Sequence, residues 1–216
     1  MNLDTTITGI FGSAIDFSDI SKSVIEIEDI VHRLANINRF CGGTLLPYSV
    51  GAHCLSIYDL AESDRYDGMY LAYALLHDAT EAFMSDIPSP LKRLLPDYQR
   101  IEKELHDFLM DYFNVELNDD IIETVAFYDK LVCLSEWKCH NNGVYDKAGA
   151  WKHVYGTYNT ANYVDMAVFK YANYAPEDTA RTLNHLLYNI KGLKNVKERF
   201  TNAPSKKTGY YPHTTG

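Results

Sequence analysis

Residues 75–93, LLHDATEAFMSDIPSPLKR, hold the densest group of chemically useful side chains in this 216-residue chain. An apolar run ends in a His-Asp doublet, and carboxylates, prolines and basic residues follow within a few turns. The polar members are His77, Asp78, Glu81, Asp86, Lys92 and Arg93, with Pro88 and Pro90 between them. Because proline has no amide hydrogen and a fixed φ, we expect the helix to end within this segment. The stretch predicts a helix end that carries metal-ligand side chains.

The sequence around this stretch predicts an all-α fold. Apolar residues recur at spacings of three and four with little strand-like alternation. On a helix over 21–36, Val24, Ile27, Val31 and Leu34 would share one face. Further helices are predicted over 50–63, 66–80, 97–112, 118–138 and 176–190, with partly helical structure up to Tyr174.

Breaks and caps delimit these helices. Residues 38–48 contain two glycines and a proline and are predicted to form a loop. Asp97 and Asn118 are candidate N-caps, and Pro176 suits a first helical turn. A turn is expected at 141–143. We expect one domain over 1–201, a helical bundle with a C-terminal helical extension, and a mobile tail over 202–216.

Composition limits the classes of function. The net charge is −9, which disfavours binding to a nucleic-acid polymer but permits a single nucleotide. No apolar run is long enough to span a membrane. The four cysteines form no C-x-x-C pair, so we expect reduced thiols in a cytoplasm.

A metal site is one interpretation of the doublet. On a regular helix His77 and Asp78 would point about 100° apart, so both reach one ion only where the helix ends. Within apolar helices, His53 and Asp129 are candidates for the remaining ligands. The alternatives are a hydrogen-bonded core histidine and a surface aspartate. A zinc cluster of Cys133, Cys139 and His140 fits no common spacing.

The order His53, His77-Asp78, Asp129 resembles the H…HD…D signature of the HD-domain metal-dependent phosphohydrolases. The run HDATEAFMSDIPSPLK is similar to a segment of bacterial 5'-deoxynucleotidases and of phage dATP triphosphohydrolases of the DatZ type. Asn38-Arg39-Phe40 resembles the N-R-W of that group. The resemblance covers roughly residues 31–136 and implies a helical HD-domain bundle.

The resemblance also implies roles for single residues. His53, His77, Asp78 and Asp129 would hold a divalent metal such as Zn, Co, Mn or Mg. Glu81 would be the catalytic acid or base, with a possible second ion beside it. Arg39 and Lys92 would act on the phosphate, and the substrate would contact Arg39, Phe40, Asp86, Pro90 and Lys92. Phe40 replaces the usual Trp that packs against deoxyribose.

The implied activity is hydrolysis of a deoxynucleotide at the α-phosphorus by a metal-activated water. The expected substrate is dATP, with dADP and dAMP, and the products are deoxyadenosine plus triphosphate or phosphate. Such an enzyme would control nucleotide pools in a bacterial cytoplasm or that of a phage-infected host, as a homo-oligomer. The alternatives are a general 5'-deoxynucleotidase and a non-catalytic nucleotide-binding HD protein.

Overall fold

The computed structural model describes residues 1–140 and 162–197, and the fold within them is mostly helical. The helices are α1 Ile27–Asn36, α2 Val50–Ser63, α3 Met69–Leu76, α4 Glu81–Met84, α5 Ser89–Lys92, α6 Pro96–Phe113, α7 Asp119–His140, α8 Asn162–Tyr171 and α9 Pro176–Asn189. A two-stranded antiparallel sheet pairs β1 (Thr6–Thr8) with β2 (Ala14–Asp16). The predicted helical class is confirmed, and the short hairpin is an addition to it.

The start of the first helix was predicted wrongly. The helix begins at Ile27, while Val24 is 50% exposed and lies in extended chain. Its amide and carbonyl each hydrogen-bond to Ala14 at 2.8 Å, so Val24 extends the hairpin. A helix over 21–36 would break both bonds. The apolar spacing at Val24 is therefore accidental.

The later boundaries agree better with the sequence. The helix predicted over 50–63 is α2, and Asn118 caps α7 by accepting a hydrogen bond from the Ile121 amide at 2.9 Å. The long helix α6 begins at Pro96, with Asp97 in its first turn and not at the cap. Pro176 opens the last helix as expected. The turn predicted at 141–143 and the tail over 202–216 lie outside the described residues.

Helix α2 lies in the centre of the fold and packs against α1, α3, α7, α8 and α9. It is buried over most of its circumference, from Val50 to Ala61. Gly51 permits the close approach of α9, since a Cβ there would lie 2.8 Å from Cγ2 of Thr179 and 3.0 Å from Cδ1 of Leu183. The central helix therefore holds His53 in a fully buried position.

The helix predicted over 66–80 is shorter at both ends. Gly68 precedes it with φ +52°, and α3 ends at Leu76. The chain then makes tight turns, in which the Ala79 amide donates to Leu76 O and the Glu81 amide to Asp78 O. The His-Asp doublet therefore occupies the turn between α3 and α4, as the ligand argument required. In the described part of the chain, no helix has the length and apolarity needed to cross a membrane.

Candidate metal centre

The four predicted metal ligands converge, although they come from three separate parts of the chain. Nε2 of His53 lies 3.1 Å from Oδ1 of Asp129 and 3.7 Å from Oδ2 of Asp78. Nε2 of His77 lies 3.3 Å from the same Asp78 oxygen. The ring centroids of the two histidines are 5.5 Å apart. Ligand atoms of His53, His77 and Asp129 lie within 4.8 Å of one another, and His77 also groups in this way with Asp78 and Cys54, so the cluster could hold a divalent metal ion.

The two imidazoles have the orientation that metal ligation requires. Nδ1 of His77 lies 3.1 Å from the Ala74 carbonyl, and Nδ1 of His53 lies 2.8 Å from Oε1 of Glu136. A carbonyl and a carboxylate accept hydrogen bonds, so the proton belongs on each Nδ1. Both Nε2 atoms are buried and have no aligned hydrogen-bond partner. Two such nitrogens directed toward carboxylates fit a cation between them, in the arrangement common to ligating histidines.

The electrostatics of the cluster also suit a cation. Burial disfavours charge at each group, yet the Asp78 carboxylate raises the pKa of His77 well above its usual value. In the same way, burial opposes ionisation of Asp78, but the His77 charge holds the pKa of that carboxyl well below its usual range. Burial also opposes ionisation of Asp129, while the adjacent His53 ring, whose Nε2 lies 3.1 Å from Oδ1 of Asp129, keeps the pKa of that carboxyl low. The carboxylates therefore concentrate negative potential at the Nε2 atoms, where a metal would replace protons.

Glu81 lies beside the cluster, and its pKa is shifted in the opposite direction from those of Asp78 and Asp129. It is the first residue of α4 and is 6% exposed, and its Oε2 atom is buried without a hydrogen-bond partner. Burial raises the pKa of Glu81 well above its usual value, and the charges of Asp78 and Asp86 raise it further. Burial also raises the pKa of Asp86, although the Arg39 charge opposes it. A carboxyl with a raised pKa next to low-pKa carboxylates can carry a proton.

Arg39 reaches the cluster from a strained turn. Phe40 and Cys41 adopt left-handed φ values of 56° and 53°, which cost free energy in residues other than glycine. The buried Arg39 guanidinium places Nη1 3.8 Å from Oδ2 of Asp78, and its Nε donates to Oε2 of Glu136 at 2.8 Å. The Phe40 ring lies 5.9 Å from the ring of Trp137. The turn therefore presents a cation and an aromatic ring at the same side of the site.

Lys92 lines a cavity of about 470 Å³ that shares His77 and Asp78 with the cluster. Its Nζ atom donates to Oε1 of Glu102 at 2.7 Å. The complete lining is His77, Asp78, Thr80, Ser89, Lys92, Arg93, Gln99, Glu102, Lys103 and His106. Pro90, which was expected near the base, is exposed in α5. The cavity next to the cluster is therefore richer in cations than in anions, in a chain whose net charge is −9.

Sequence reasoning missed several neighbours of the site. Glu136 contacts both His53 and Arg39, but as one glutamate on a long helix it gave no distinct signal. Cys54 lies buried close enough to His77 and Asp78 to form a second possible ligand group. Among the described residues, neither ligand group includes Cys133 or Cys139, and the side chain of His140 lies outside the described part.

Comparison with known proteins gives relatives without a stated activity. The chain is 36% identical over 119 residues to YfdR of Escherichia coli (strain K12), which is described as uncharacterized. That match covers 55% of this chain and 62% of YfdR. This chain is also 39% identical over 85 residues to RCAP_rcc00048 of Rhodobacter capsulatus, which is likewise described as uncharacterized. This second match covers 38% of this chain and 43% of RCAP_rcc00048. The chain thus spans less than two thirds of either relative. No family model matches the chain.

Proposed function

We propose that this protein is an HD-type, metal-dependent phosphohydrolase that cleaves deoxynucleotides at the α-phosphorus, with dATP as its preferred substrate. One observation carries the proposal: two buried imidazole Nε2 atoms without hydrogen-bond partners face the Asp78 and Asp129 carboxylates, next to Arg39 and a high-pKa Glu81. Ligand side chains, a cation and a proton carrier are the parts that phosphoryl hydrolysis needs.

The proposed metal ligands are His53, His77, Asp78 and Asp129. A divalent cation bound there would polarise a phosphate oxygen and acidify a water. Imidazole nitrogens and carboxylate oxygens suit Zn, Co or Mn, and Mg favours carboxylate and water oxygens, so the donor set leaves the metal open. The Nδ1 contacts to Glu136 and Ala74 hold both rings in the ligating orientation.

The remaining residues would act on the phosphate and the proton. Arg39 and Lys92 would neutralise charge that develops on the phosphate oxygens. Glu81, whose raised pKa favours its protonated form, would give that proton to the departing 5'-oxygen and recover one from the attacking water. A new bond forms between the water oxygen and the α-phosphorus, and the bond from that phosphorus to the 5'-oxygen breaks. A triphosphate would yield deoxyadenosine and tripolyphosphate.

The cavity beside His77 and Asp78 favours a triphosphate over a monophosphate. If the α-phosphate of a nucleoside triphosphate is bound at the cluster, its β- and γ-phosphates need space and positive charge nearby. The cavity offers about 470 Å³ and the side chains of Lys92, Arg93 and Lys103, of which Lys92 pairs with Glu102 and Lys103 with Asp107. The β- and γ-phosphates of a triphosphate could take the place of these carboxylates, whereas a monophosphate would not reach them. This observation supports dATP hydrolysis over a 5'-deoxynucleotidase.

The sugar and base preferences rest on the family resemblance. Phe40 would pack against the deoxyribose, with Asp86 near the sugar hydroxyl and Pro90 at the border of the base site. The Phe40 ring contacts two neighbours. Its centroid lies 5.9 Å from that of Trp137 and 5.4 Å from Cζ of Arg39. The Phe40 ring, packed against Trp137, would provide the flat apolar surface that a Trp provides in the enzymes that this sequence resembles.

A nucleotide panel tests the proposal. Purified protein is incubated with dATP, dAMP, ATP and the other deoxynucleotides, each with Co²⁺, Mn²⁺ or Mg²⁺ and with EDTA as control. The proposal predicts metal-dependent release of deoxyadenosine and tripolyphosphate from dATP. Equal activity on all deoxynucleoside monophosphates and none on triphosphates would instead identify a 5'-deoxynucleotidase. Nucleotide binding without turnover under every metal would identify a non-catalytic binding protein.

A further inference from the structure

Glu136 holds two functional side chains at once through its two carboxylate oxygens. Oε1 lies 2.8 Å from Nδ1 of His53, and Oε2 accepts a hydrogen bond from Nε of Arg39, also at 2.8 Å. All three side chains are buried, and Glu136 itself is 0% exposed. One carboxylate therefore joins a metal-ligand histidine to the cation proposed to bind phosphate.

Two of the carboxylates on α7 lie on opposite sides of the His53 ring. Asp129 faces Nε2 and Glu136 faces Nδ1. The two acids are seven residues apart, which is close to two helical turns and places them on one face of α7. Helix α2 packs along that face. The spacing thus gives each ring nitrogen its own carboxylate.

We propose that Glu136 is a positioning residue that fixes the Nδ1–H tautomer of His53 and aligns Arg39, so that metal affinity and phosphate binding both depend on it. The inference rests on the proposed metal centre. A carboxylate is suited to this role because it accepts at both oxygens. The amide of a glutamine accepts at one oxygen only, so its NH₂ group would face a donor from either His53 or Arg39.

The experiment compares Glu136→Gln and Glu136→Asp with the wild-type protein and with Glu123→Gln, an exposed position on the same helix. Zn²⁺ and Mn²⁺ affinities are measured by calorimetry, and folding is checked by circular dichroism. The tautomer of His53 is read from ¹⁵N-histidine NMR of the wild-type protein, with and without Zn²⁺. His53→Gln assigns the signal.

We expect Glu136→Gln to weaken metal affinity by about 10- to 100-fold, the usual effect of removing a hydrogen bond to a ligand. Glu136→Asp keeps the charge but shortens the side chain, so its metal affinity should lie between those of Glu136→Gln and the wild type. Glu123→Gln should match the wild type. The NMR spectrum should show His53 protonated at Nδ1. If Glu136→Gln does not fold, this wild-type tautomer still decides the inference.

The outcomes separate this inference from the proposed reaction. Wild-type protein that binds metal but hydrolyses no deoxynucleotide, with weakened binding in Glu136→Gln, would support the positioning role and reject the reaction. Wild-type turnover with unchanged metal affinity in Glu136→Gln would reject the positioning role alone. An Nε2–H tautomer of His53, or no metal binding by the wild type, would overturn the inference.

Discussion

Nε2 of His77 lies 3.3 Å from Oδ2 of Asp78, although the two residues are neighbours in the chain. In a continuous helix their side chains would diverge by about 100°. They converge because α3 ends at Leu76 and the chain turns before α4 begins at Glu81. The end of one helix thus brings the side chains of two adjacent residues together in one cluster.

Asp78→Asn should abolish metal binding and turnover. The substitution preserves the shape of the side chain but removes the carboxylate charge that both histidines face. Metal content after dialysis and the rate with dATP are the measurements. Asp111→Asn, at an exposed position of α6, serves as control. Turnover retained in Asp78→Asn would show that the site is misassigned.

Glu81→Gln should leave metal bound while slowing hydrolysis by about 10²- to 10⁴-fold, the usual contribution of a general acid or base. Glutamine keeps the size of the side chain, but it cannot take up or release the proton. The rate constant and the metal content are measured on the same samples. A rate within a few-fold of the wild type would remove Glu81 from the mechanism.

Arg93→Ala should weaken dATP binding by up to about fivefold, since an exposed charge pair contributes about 1 kcal/mol at most. Binding of dAMP should be unchanged, because the cavity that Arg93 lines would hold only the β- and γ-phosphates. Inhibition or Michaelis constants for both nucleotides give the comparison. The matched control is Arg100→Ala, which removes a cation paired with Glu104 on the exposed surface. Equal losses for dATP and dAMP would contradict the assigned role of the cavity.

Gly51→Ala should lower the free energy of unfolding by about 1–3 kcal/mol, the usual cost of overpacking. The new Cβ would lie 2.8 Å from Cγ2 of Thr179, so α2 and α9 must separate. Thr179→Ser removes that methyl group and should recover part of the loss in the double variant. Urea unfolding of the four proteins measures this. A stabilised Gly51→Ala protein would mean that α9 moves at little cost.

Asp16→Asn should reduce stability at neutral pH and flatten its decline in acid. Hydrogen bonds from the Ser18 hydroxyl and the Asn2 amide hold the pKa of Asp16 far below its usual value. The ionised group therefore stabilises the fold above the ordinary aspartate pKa of about 4, and this contribution falls as the pH drops toward the folded-state pKa. Urea midpoints at several pH values, with Asp4→Asn as control, provide the test. Parallel pH curves for wild type and Asp16→Asn would contradict this.

Local sequence patterns predicted the helices and the doublet because both depend on neighbouring residues. The apolar run of α2 and the Asn118 cap are examples. The same reasoning placed Val24 in a helix. It was wrong because Val24 pairs with Ala14 of a hairpin, and no alternating apolar pattern in the sequence predicted that hairpin. A three-residue strand is too short to display a period.

The contacts that complete the site were beyond local patterns. Glu136 meets His53 across 83 positions of sequence, and Arg39 across 97. Glu136 and Asp129 are seven residues apart, which the sequence shows. That spacing indicates a shared role at His53 only once α2 is known to pack along α7. The cavity likewise depends on how α5 and α6 approach the doublet.

Hydrolysis of dATP in H₂¹⁸O with Mn²⁺ or Co²⁺ distinguishes attack at the α-phosphorus from cleavage elsewhere in the nucleotide. Attack of water on the α-phosphorus with loss of the 5'-oxygen places the label in tripolyphosphate and leaves deoxyadenosine unlabelled, as mass spectrometry of both products would show. We expect this pattern for the wild type and no products for Asp78→Asn. Labelled deoxyadenosine, release of pyrophosphate or orthophosphate in place of tripolyphosphate, or no turnover with any metal would contradict it.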